Sequence, residues 1–291
     1  MKLAQKDGSI DVEVYGKPFT TFFYGKDAPK PYLWPLRSAT GTMVTRHFPI
    51  EKIAGESHDH PHHRGLWVTH GDVNGFDFWA SEAEQNGKKG YVVLDKLNRT
   101  ESGPKMGLID ASFLWNAGGK TLMKEHRVMR FYGGEEMRII DFLLTFTAVE
   151  QVKWGDTKEG MFAIRLADEL SEKKTGTMTN AAGAQKEKNV WGKPSPWVDY
   201  AGTVAGQPLA VAIFDSPANP RHPTTWHARE YGLFAANMFG LHDFNHNKLD
   251  TGSLTMKPGE TLTLRYRVLI HPGPTDRAKV EQMYQAWSNE K

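Results

Sequence analysis

Regularly spaced β-rich runs are the feature that most limits how this chain can fold. The turns between them, such as Asn116–Gly119 and Tyr132–Gly134, are rich in glycine and typical of hairpins. Because no amphipathic helix separates the runs, we expect an all-β fold, a large antiparallel β-sandwich. The runs are Tyr91–Leu97, Gly107–Trp115, Lys120–Tyr132, Met137–Val149 and Met161–Leu166.

A single helix is predicted at the C-terminal end, from Thr275 to Asn289. Val280, Tyr284 and Trp287 form an apolar stripe with helical spacing, which we expect to cap the sandwich core. The stretch from about 170 to 196 is polar and predicts a long loop. Strand-like sequence continues on both sides of it, so we predict a single domain over residues 1–291. A linker between two domains is the alternative.

Composition limits the partners and compartments of the protein. The 291 residues carry 36 basic and 34 acidic side chains, a balance that does not indicate nucleic acid. No apolar run approaches the roughly 18 residues that a membrane span needs. The absence of cysteine excludes disulfides, thiolate ligands and cysteine nucleophiles. The N-terminus lacks the apolar segment of a signal peptide, so we expect a cytoplasmic protein or a mature secreted or periplasmic domain.

Histidines are concentrated in one short stretch. Five of the 12 histidines lie between positions 58 and 70. Three interpretations remain open: general acid/base catalysis or substrate binding, a metal site, and a structural role. Pro61 stiffens the stretch, and Arg64 next to it can contact a ligand. The histidines are His58, His60, His62, His63 and His70.

A second cluster combines the same residue types between positions 219 and 229. Arginine offers a planar fork to carboxylates or hydroxyl pairs, and tryptophan stacks on the apolar face of a pyranose ring. We therefore predict part of a sugar or uronate pocket here, and a solvated surface loop is the alternative. The residues concerned are Arg221, His222, Trp226, His227 and Arg229.

Several further polar residues lie in or next to predicted strands. Arg165 lies in an apolar strand, where it is expected either to pair with a carboxylate such as Glu159 or to bind substrate. Glu159, at the start of the same strand, is a candidate general base. Asp199 can supply a carboxylate opposite a histidine, and Trp197 and Tyr200 flank it.

Four passages resemble the family catalogued as methane oxygenase PmoA-like. The second contains the histidine-rich stretch and the fourth contains the arginine and histidine cluster. The resemblance implies a β-supersandwich similar to that of galactose mutarotase, a scaffold whose members act mainly on sugars. The passages are Pro31–Arg37, Asp59–Trp79, Trp191–Gly202 and Phe214–Asn237.

The leading hypothesis is a carbohydrate-active enzyme of isomerase, lyase or hydrolase type that uses histidine acid/base chemistry on a sugar or sugar derivative. The predicted proton-transfer groups are His63, His70, His227, Glu159 and Asp199. The predicted substrate-binding groups are His60, His62, Arg64, Arg165, Trp197, Tyr200, Arg221, His222, Trp226 and Arg229.

Two alternatives to this hypothesis remain. One is a non-catalytic carbohydrate-binding module, and the other is a metal-dependent enzyme with a site in the histidine cluster. The leading hypothesis needs no cofactor, and only the metal-dependent alternative requires a divalent metal. A small-molecule carbohydrate is the expected partner, without nucleic acid or membrane, and the sequence leaves the oligomeric state open.

Overall fold

Short strands dominate the described part of the chain, which in this computed structural model comprises residues 1–80, 88–246 and 252–290. The strands of the N-terminal half are β1 (Lys2–Lys6), β2 (Ser9–Val14), β3 (Lys17–Phe23), β4 (Tyr32–Trp34), β5 (Leu66–His70), β6 (Gly90–Glu101), β7 (Gly107–Ala117), β8 (Lys120–Gly133) and β9 (Arg138–Ala148). Those of the C-terminal half are β10 (Val152–Trp154), β11 (Gly160–Arg165), β12 (Thr177–Asn180), β13 (Trp197–Val204), β14 (Gln207–Asp215), β15 (Trp226–Ala228), β16 (Leu233–Ala236), β17 (Leu254–Met256) and β18 (Thr261–Pro272). The helices are α1 (Glu187–Val190), α2 (Leu241–Phe244) and α3 (Arg277–Ser288).

The strands form two antiparallel eight-stranded sheets. Sheet A has the order β1-β2-β3-β4-β5-β11-β16-β15, and sheet B has the order β12-β13-β14-β18-β9-β8-β7-β6. The short strands β10 and β17 form a separate two-stranded sheet. The predicted antiparallel β-sandwich is therefore confirmed, and the five β-rich runs correspond to β6, β7, β8, β9 and β11.

Alternation of side chains along the strands builds the core between the two sheets. In β7, Phe113 is fully buried whereas its neighbour Ser112 is partly exposed. From sheet A, the ring of Phe162 packs against Phe142 and Tyr266 of sheet B, with ring centroids 4.8 and 4.6 Å apart. Each fully buried ring of this kind stabilises the fold by roughly 1.5–3 kcal/mol.

The outer face of sheet A carries a second buried layer. Because alternate residues of a strand point to opposite faces, Trp67 of β5 and Ala163 of β11 lie on this face, next to each other in register. Trp79 packs on Trp67, with ring centroids 5.1 Å apart. This aromatic layer is the floor on which the candidate site is built.

Helix α3 packs on the outer face of sheet B. It begins after Asp276, whose side chain accepts hydrogen bonds from two amides of the first turn. Its buried residues Val280 and Trp287 form a cluster with Trp197 and Phe214, separate from the main core. The helix is confirmed, but it covers a sheet face and does not cap the core. None of the helices in the described part of the chain is long and apolar enough to cross a lipid bilayer.

The stretch from 170 to 196 is not one continuous loop. It contains β12, which pairs with β13 as the edge strand of sheet B, and the single-turn helix α1. Met178 is the buried apolar residue of β12, flanked by threonines, so the strand has too little apolar character to be recognised in the sequence. The division into domains stays a prediction.

A buried ion pair links β13 to β18 on the outer face of sheet B. His271 Nε2 lies 3.3 Å from Asp199 Oδ2, and both side chains are almost fully buried. Burial alone would lower the pKa of His271, but the interaction with Asp199 outweighs it and raises this pKa above its ordinary value. The pair therefore stabilises the fold when the imidazole is protonated.

The free energy of unfolding should respond to pH through this pair. The folded-state pKa exceeds the unfolded one, so the stabilisation is complete below about pH 6.5 and is lost as pH rises through the folded-state pKa. Asp199→Asn should cost roughly 1.5–3 kcal/mol near pH 6 and flatten this dependence, as measured by urea denaturation. The matched control is Asp110→Asn, which breaks the exposed pair with His126 and should cost less than about 1 kcal/mol. Equal pH dependence in Asp199→Asn and the wild type would contradict the prediction.

Candidate functional site

A cavity of about 510 Å³ opens on the outer face of sheet A. His227 lies on β15 between Trp226 and Ala228, which point into the core, so alternation directs its imidazole to the outer face. His63 reaches the same cavity from the loop before β5. The two histidine segments therefore meet across one cavity, as predicted, although their roles stay predictions. The other lining residues are His60, His62, Gly71, Asp77, Trp79, Ala80, Lys158, Glu159, Arg229 and Tyr231.

Stacked rings hold the histidine loop against the aromatic floor. The ring of His60 stacks on His63 at 4.7 Å and on Tyr231 at 5.3 Å, each nearly parallel. His63 in turn stacks on Trp67 at 5.2 Å. His62 contacts His63 edge-on at 4.5 Å. The orientation of each imidazole is therefore fixed by its neighbours before any ligand arrives.

A charged network lies behind His63. Arg165 is fully buried, lies 4.6 Å from the ring centroid of Tyr231 and donates to Asp59 at 2.9 Å. Its Nη1 lies 3.3 Å from Nδ1 of His63. Asp59 also accepts from the buried Arg46 at 2.5 Å. Arg165 therefore pairs with a carboxylate, which is Asp59 and not Glu159, while substrate binding by Arg165 stays a prediction.

Three of the cavity histidines, His62, His63 and His227, are held neutral at physiological pH by a lowered pKa. Burial lowers the pKa of His62 to about 3, and the positive charge of Lys30 contributes. Burial also lowers the pKa of His227 to about 3, helped by the charges of Arg229 and Lys158. The pKa of His63 is lowered well below its ordinary value, again chiefly by burial. A neutral imidazole donates through one nitrogen and accepts through the other.

Glu159 supplies a carboxylate to the cavity wall. Its Oε2 lies 4.0 Å from Nδ1 of His227, and its Oε1 lies 3.1 Å from Nζ of Lys158. Asp77 also lines the cavity, but its Oδ1 accepts from the backbone amides of Trp79 and Ala80 at 2.8 and 2.9 Å. Of the two carboxylates among the described lining residues, Glu159 is therefore the one whose oxygens are not held by these amides, and its role in proton transfer stays a prediction.

Six lining residues were not among the predicted site residues: Gly71, Asp77, Trp79, Ala80, Lys158 and Tyr231. Trp79 ends the passage that contains the histidine stretch, and Tyr231 follows the second cluster by two residues. Lys158 directly precedes Glu159. Their nearness in sequence to predicted residues was the available signal, but alternation and loop paths decide which neighbours reach a cavity. Arg46, which holds Asp59, had no signal of its own.

His70, predicted as a proton-transfer group, lies outside the cavity. It shares a face of β5 with Leu66 and Val68, and that face points into the core between the sheets. Its Nε2 lies 2.8 Å from the carbonyl oxygen of Gly155, and its ring packs on Phe239 at 4.8 Å. Because side chains alternate along β5 and Trp67 points to the outer face, His70 points to the opposite face, into the core.

The predicted ring-stacking residues are also placed away from the cavity. Trp197 lies under α3 and donates to Glu281 at 2.7 Å. Trp226 points into the core and donates to the carbonyl of Ser195 at 2.9 Å. Tyr200 is a core residue of sheet B. Asp199, as described above, pairs with His271, so the carboxylate expected from β13 does not reach the cavity histidines.

The remaining arginines and His222 are divided among other roles. Arg229 lines the cavity and pairs with Glu187 at 3.1 Å. Arg221 donates to backbone carbonyls, including that of Met238 at 3.0 Å, and His222 pairs with Asp215 at 2.7 Å. Arg64 lies 5.7 Å from the ring centroid of Tyr32 and lines a different cavity. Of these four residues, Arg229 alone lines the cavity that contains His63.

Comparison with known proteins places the chain in a family. Residues 9–285 match the family described as "Family of unknown function (DUF6807)". The chain belongs to this family. No curated protein matches this DUF6807 chain. The resemblance to the methane oxygenase PmoA-like family stays a prediction.

The DUF6807 chain is also similar to solved structures at very low identity. The α-galactosidase from Lactobacillus brevis matches at 9% identity and a TM-score of 0.44, over 95% of this chain and 40% of that one. The galactose 1-epimerase from Lactobacillus acidophilus NCFM matches at 9% identity and a TM-score of 0.38, over 93% of this chain and 100% of that one. The DUF6807 chain thus spans well under half of the α-galactosidase.

A metal site in the histidine cluster would need several ligand atoms that converge on one point. Among the described residues of this DUF6807 chain, no group of three or more histidine or carboxylate side chains is arranged to hold a metal ion. His60 Nδ1 lies 3.1 Å from Asp59, and His63 Nδ1 faces Arg165. These nitrogens are therefore directed at protein partners.

Proposed function

We propose that the cavity is the active site of a carbohydrate-active enzyme of isomerase, lyase or hydrolase type. The observation that carries the proposal is the convergence of His63, His227 and Glu159, from three separate segments, on one cavity. Neutral imidazoles and a carboxylate are groups that exchange protons with hydroxyl, carbonyl or C–H positions. His227 and Glu159, 4.0 Å apart, form the acid/base pair on one wall.

The shape and lining of the cavity suit a sugar. Its volume of about 510 Å³ lies within the range of small-molecule sites. The rings of Trp79 and Tyr231 offer apolar surface to C–H groups, while Lys158 and Arg229 offer donors to hydroxyl or carboxylate oxygens. This combination matches the alternating apolar and polar character of a pyranose.

A ligand screen tests the proposal. We expect one or more members of a panel of mono- and oligosaccharides, including uronates and other oxidised sugars, to raise the melting temperature. A sugar at about 100 times its Kd adds about 2.7 kcal/mol of stability, which is roughly 5 °C for a chain of this size. Ala80→Trp, which fills the cavity from its rim, should abolish the shift, and His126→Gln, far from it, should retain the shift. No shift with any sugar, or the same shift in Ala80→Trp, would contradict the proposal.

A non-catalytic carbohydrate-binding module is the second candidate. The stacked column of His60, His63 and Tyr231 favours it, because rings locked in this way can provide a rigid binding wall without any proton transfer. Such a module would bind its sugar without converting it, and Glu159→Gln would leave its ligand affinity nearly unchanged. Product formation in the wild type separates the two candidates.

A further inference from the structure

The contact between Arg165 and His63 determines where the histidine carries its proton. A guanidinium has five N–H donors and no acceptor. Because Nη1 of Arg165 lies 3.3 Å from Nδ1 of His63, that ring nitrogen must be the acceptor. A neutral imidazole with an accepting Nδ1 carries its proton on Nε2. His63 therefore has one permitted tautomer.

The surroundings keep His63 neutral. The side chain is 1% exposed, and no carboxylate is paired with its ring among the residues that the structure describes. Asp59, the nearest candidate, is shared by Arg46, Arg165 and the ring of His60. The positive charge of Arg165 opposes a second positive charge on His63. Arg165 thus fixes both the tautomer and the charge of His63.

The donor of His63 points away from Arg165. The two nitrogens lie on different edges of an imidazole, and the stacking of His63 between His60 and Trp67 fixes the plane of the ring. Nearby, Nε1 of Trp79 is buried and has no hydrogen-bond partner among the described protein atoms. A buried N–H group without a protein partner is expected to donate a hydrogen bond to water or to a ligand. His63 and Trp79 both line the cavity, with ring centroids 5.8 Å apart, so each brings one neutral N–H group to the same part of its wall.

We infer that His63 and Trp79 donate hydrogen bonds to a carbonyl or carboxylate oxygen of the substrate, and that Glu159 removes a proton from the carbon next to that carbonyl group. Arg165 is the positioning residue that holds His63 in the donating form. This inference rests on the proposed function and assigns a substrate class to the same cavity. The class is a sugar with an acidic C–H beside a C=O, such as an open-chain aldose, a ketose or a uronate.

The step balances without a further reactant. The carboxylate of Glu159 takes the proton, the C–H electron pair forms a C=C bond, and the carbonyl π pair moves to the oxygen. The oxygen gains negative charge at the point where the neutral donors lie, an arrangement that stabilises enolate-like states. Glu159 then returns the proton to the same carbon. Return to the neighbouring carbon balances when the first carbon carries a hydroxyl group, whose proton moves to the former carbonyl oxygen as that hydroxyl becomes the new C=O.

Glycoside hydrolysis is less compatible with the lining. It ordinarily uses two carboxyl groups on either side of the scissile bond. Of the described residues that line the cavity, Glu159 and Asp77 are the carboxylates, and Asp77 is occupied by the amides of Trp79 and Ala80. One carboxylate facing neutral donors fits proton abstraction beside a carbonyl group.

Nitrogen NMR of histidine-labelled protein tests the state of His63 without any substrate. We expect a protonated Nε2 and an unprotonated Nδ1 near neutral pH, assigned by the loss of these signals in His63→Gln. Arg165→Lys, which keeps a cationic donor, should preserve the tautomer, whereas Arg165→Met should yield a mixture. If Arg165→Met does not fold, the wild-type spectrum alone still shows which ring nitrogen of His63 carries the proton. A proton on Nδ1, or an imidazolium near pH 7, would overturn the inference.

Exchange in heavy water tests the reaction class. Aldoses, ketoses and uronates, in separate arms, are incubated with the protein, and deuterium is expected at the carbon beside the C=O in at least one arm. Glu159→Gln should slow this exchange at least about a hundredfold while keeping the melting shift, and His126→Gln should not slow it. Hydrolysis or anomerisation without C–D formation would overturn the assigned class. If no sugar shifts the melting temperature or reacts, the proposed function fails, whereas the NMR result still reports on His63.

Discussion

Replacing Glu159 by glutamine is expected to lower the turnover of the sugar substrate by about two to four orders of magnitude, since positioned proton transfer contributes roughly that factor. Glutamine has the same shape and keeps a hydrogen-bond acceptor, but it cannot take up a proton. Lys158 and His227, at 3.1 and 4.0 Å from the carboxylate, remain in place. The loss should therefore lie in kcat, with KM little changed.

Steady-state kinetics on the sugar that most stabilises the protein provides the measurement. His227→Gln should also lose activity, because its ring is the nearest imidazole to Glu159 on the cavity wall. His126→Gln is the matched control, since His126 is exposed on sheet B and pairs with Asp110. If Glu159→Gln keeps more than about a tenth of the wild-type kcat, Glu159 is not the proton acceptor.

The sandwich could be predicted from sequence because its evidence is local. Alternating burial in β7 and β9 and the glycine turns between the long strands are properties of short segments. β12 was missed because it is an edge strand with one large apolar residue, Met178, and its pairing with β13 is a long-range property. Local patterns of this kind do not show which polar segments pair at an edge.

The candidate site could be predicted only in part. The density of histidines located the loop around His63, and the second cluster located His227, but their convergence depends on β5, β11, β16 and β15 being neighbours in sheet A. The sequence also does not say which face of a sheet is covered by another layer. His70 and Trp226 were therefore assigned to the site although both point into the core.

The arginines illustrate a second limit of prediction from sequence, which is that the partners of a side chain stay unknown. Arg165, Arg221 and Arg229 were all predicted from sequence to bind substrate, yet their surroundings differ. Arg165 lies behind His63, Arg221 donates to backbone carbonyls, and Arg229 lines the cavity. Each role is set by partners distant in sequence, such as Asp59 for Arg165. A buried guanidinium needs partners of this kind. An arginine in an apolar strand indicates that a partner exists, but the sequence does not say which residue it is.

Acidification is expected to destabilise the fold strongly between about pH 6.5 and 5, because four buried histidines are neutral in the folded state. Burial lowers the pKa of His62 and His227 to about 3 and that of His70 to about 4, and it lowers the pKa of His63 well below its ordinary value. The unfolded chain takes up protons at its ordinary pKa, about 6.5, so it binds more protons in this window. Each folded-state pKa lies below the unfolded value, so stability falls as pH falls.

The expected loss is about 1.5 kcal/mol for each histidine between pH 6.5 and 5, or about 6 kcal/mol for the four. That is a large part of the roughly 5–15 kcal/mol of a typical domain. The pair of His271 and Asp199 does not offset this loss, because its stabilisation is already nearly complete below about pH 6.5. Urea denaturation at several pH values in this range measures the effect.

Substitution of one cavity histidine shows how much of the pH dependence of the free energy of unfolding comes from the buried histidines and how much from other groups. His227→Gln should reduce the slope of unfolding free energy against pH by up to about 1.4 kcal/mol per pH unit, whatever it does to the stability at neutral pH. His126→Gln, which removes an exposed histidine, is the matched comparison and should leave most of the slope in place. If the wild-type free energy of unfolding were constant between about pH 6.5 and 5, the buried histidines would have to be protonated in the folded state, and the neutral donor assigned to His63 would be wrong.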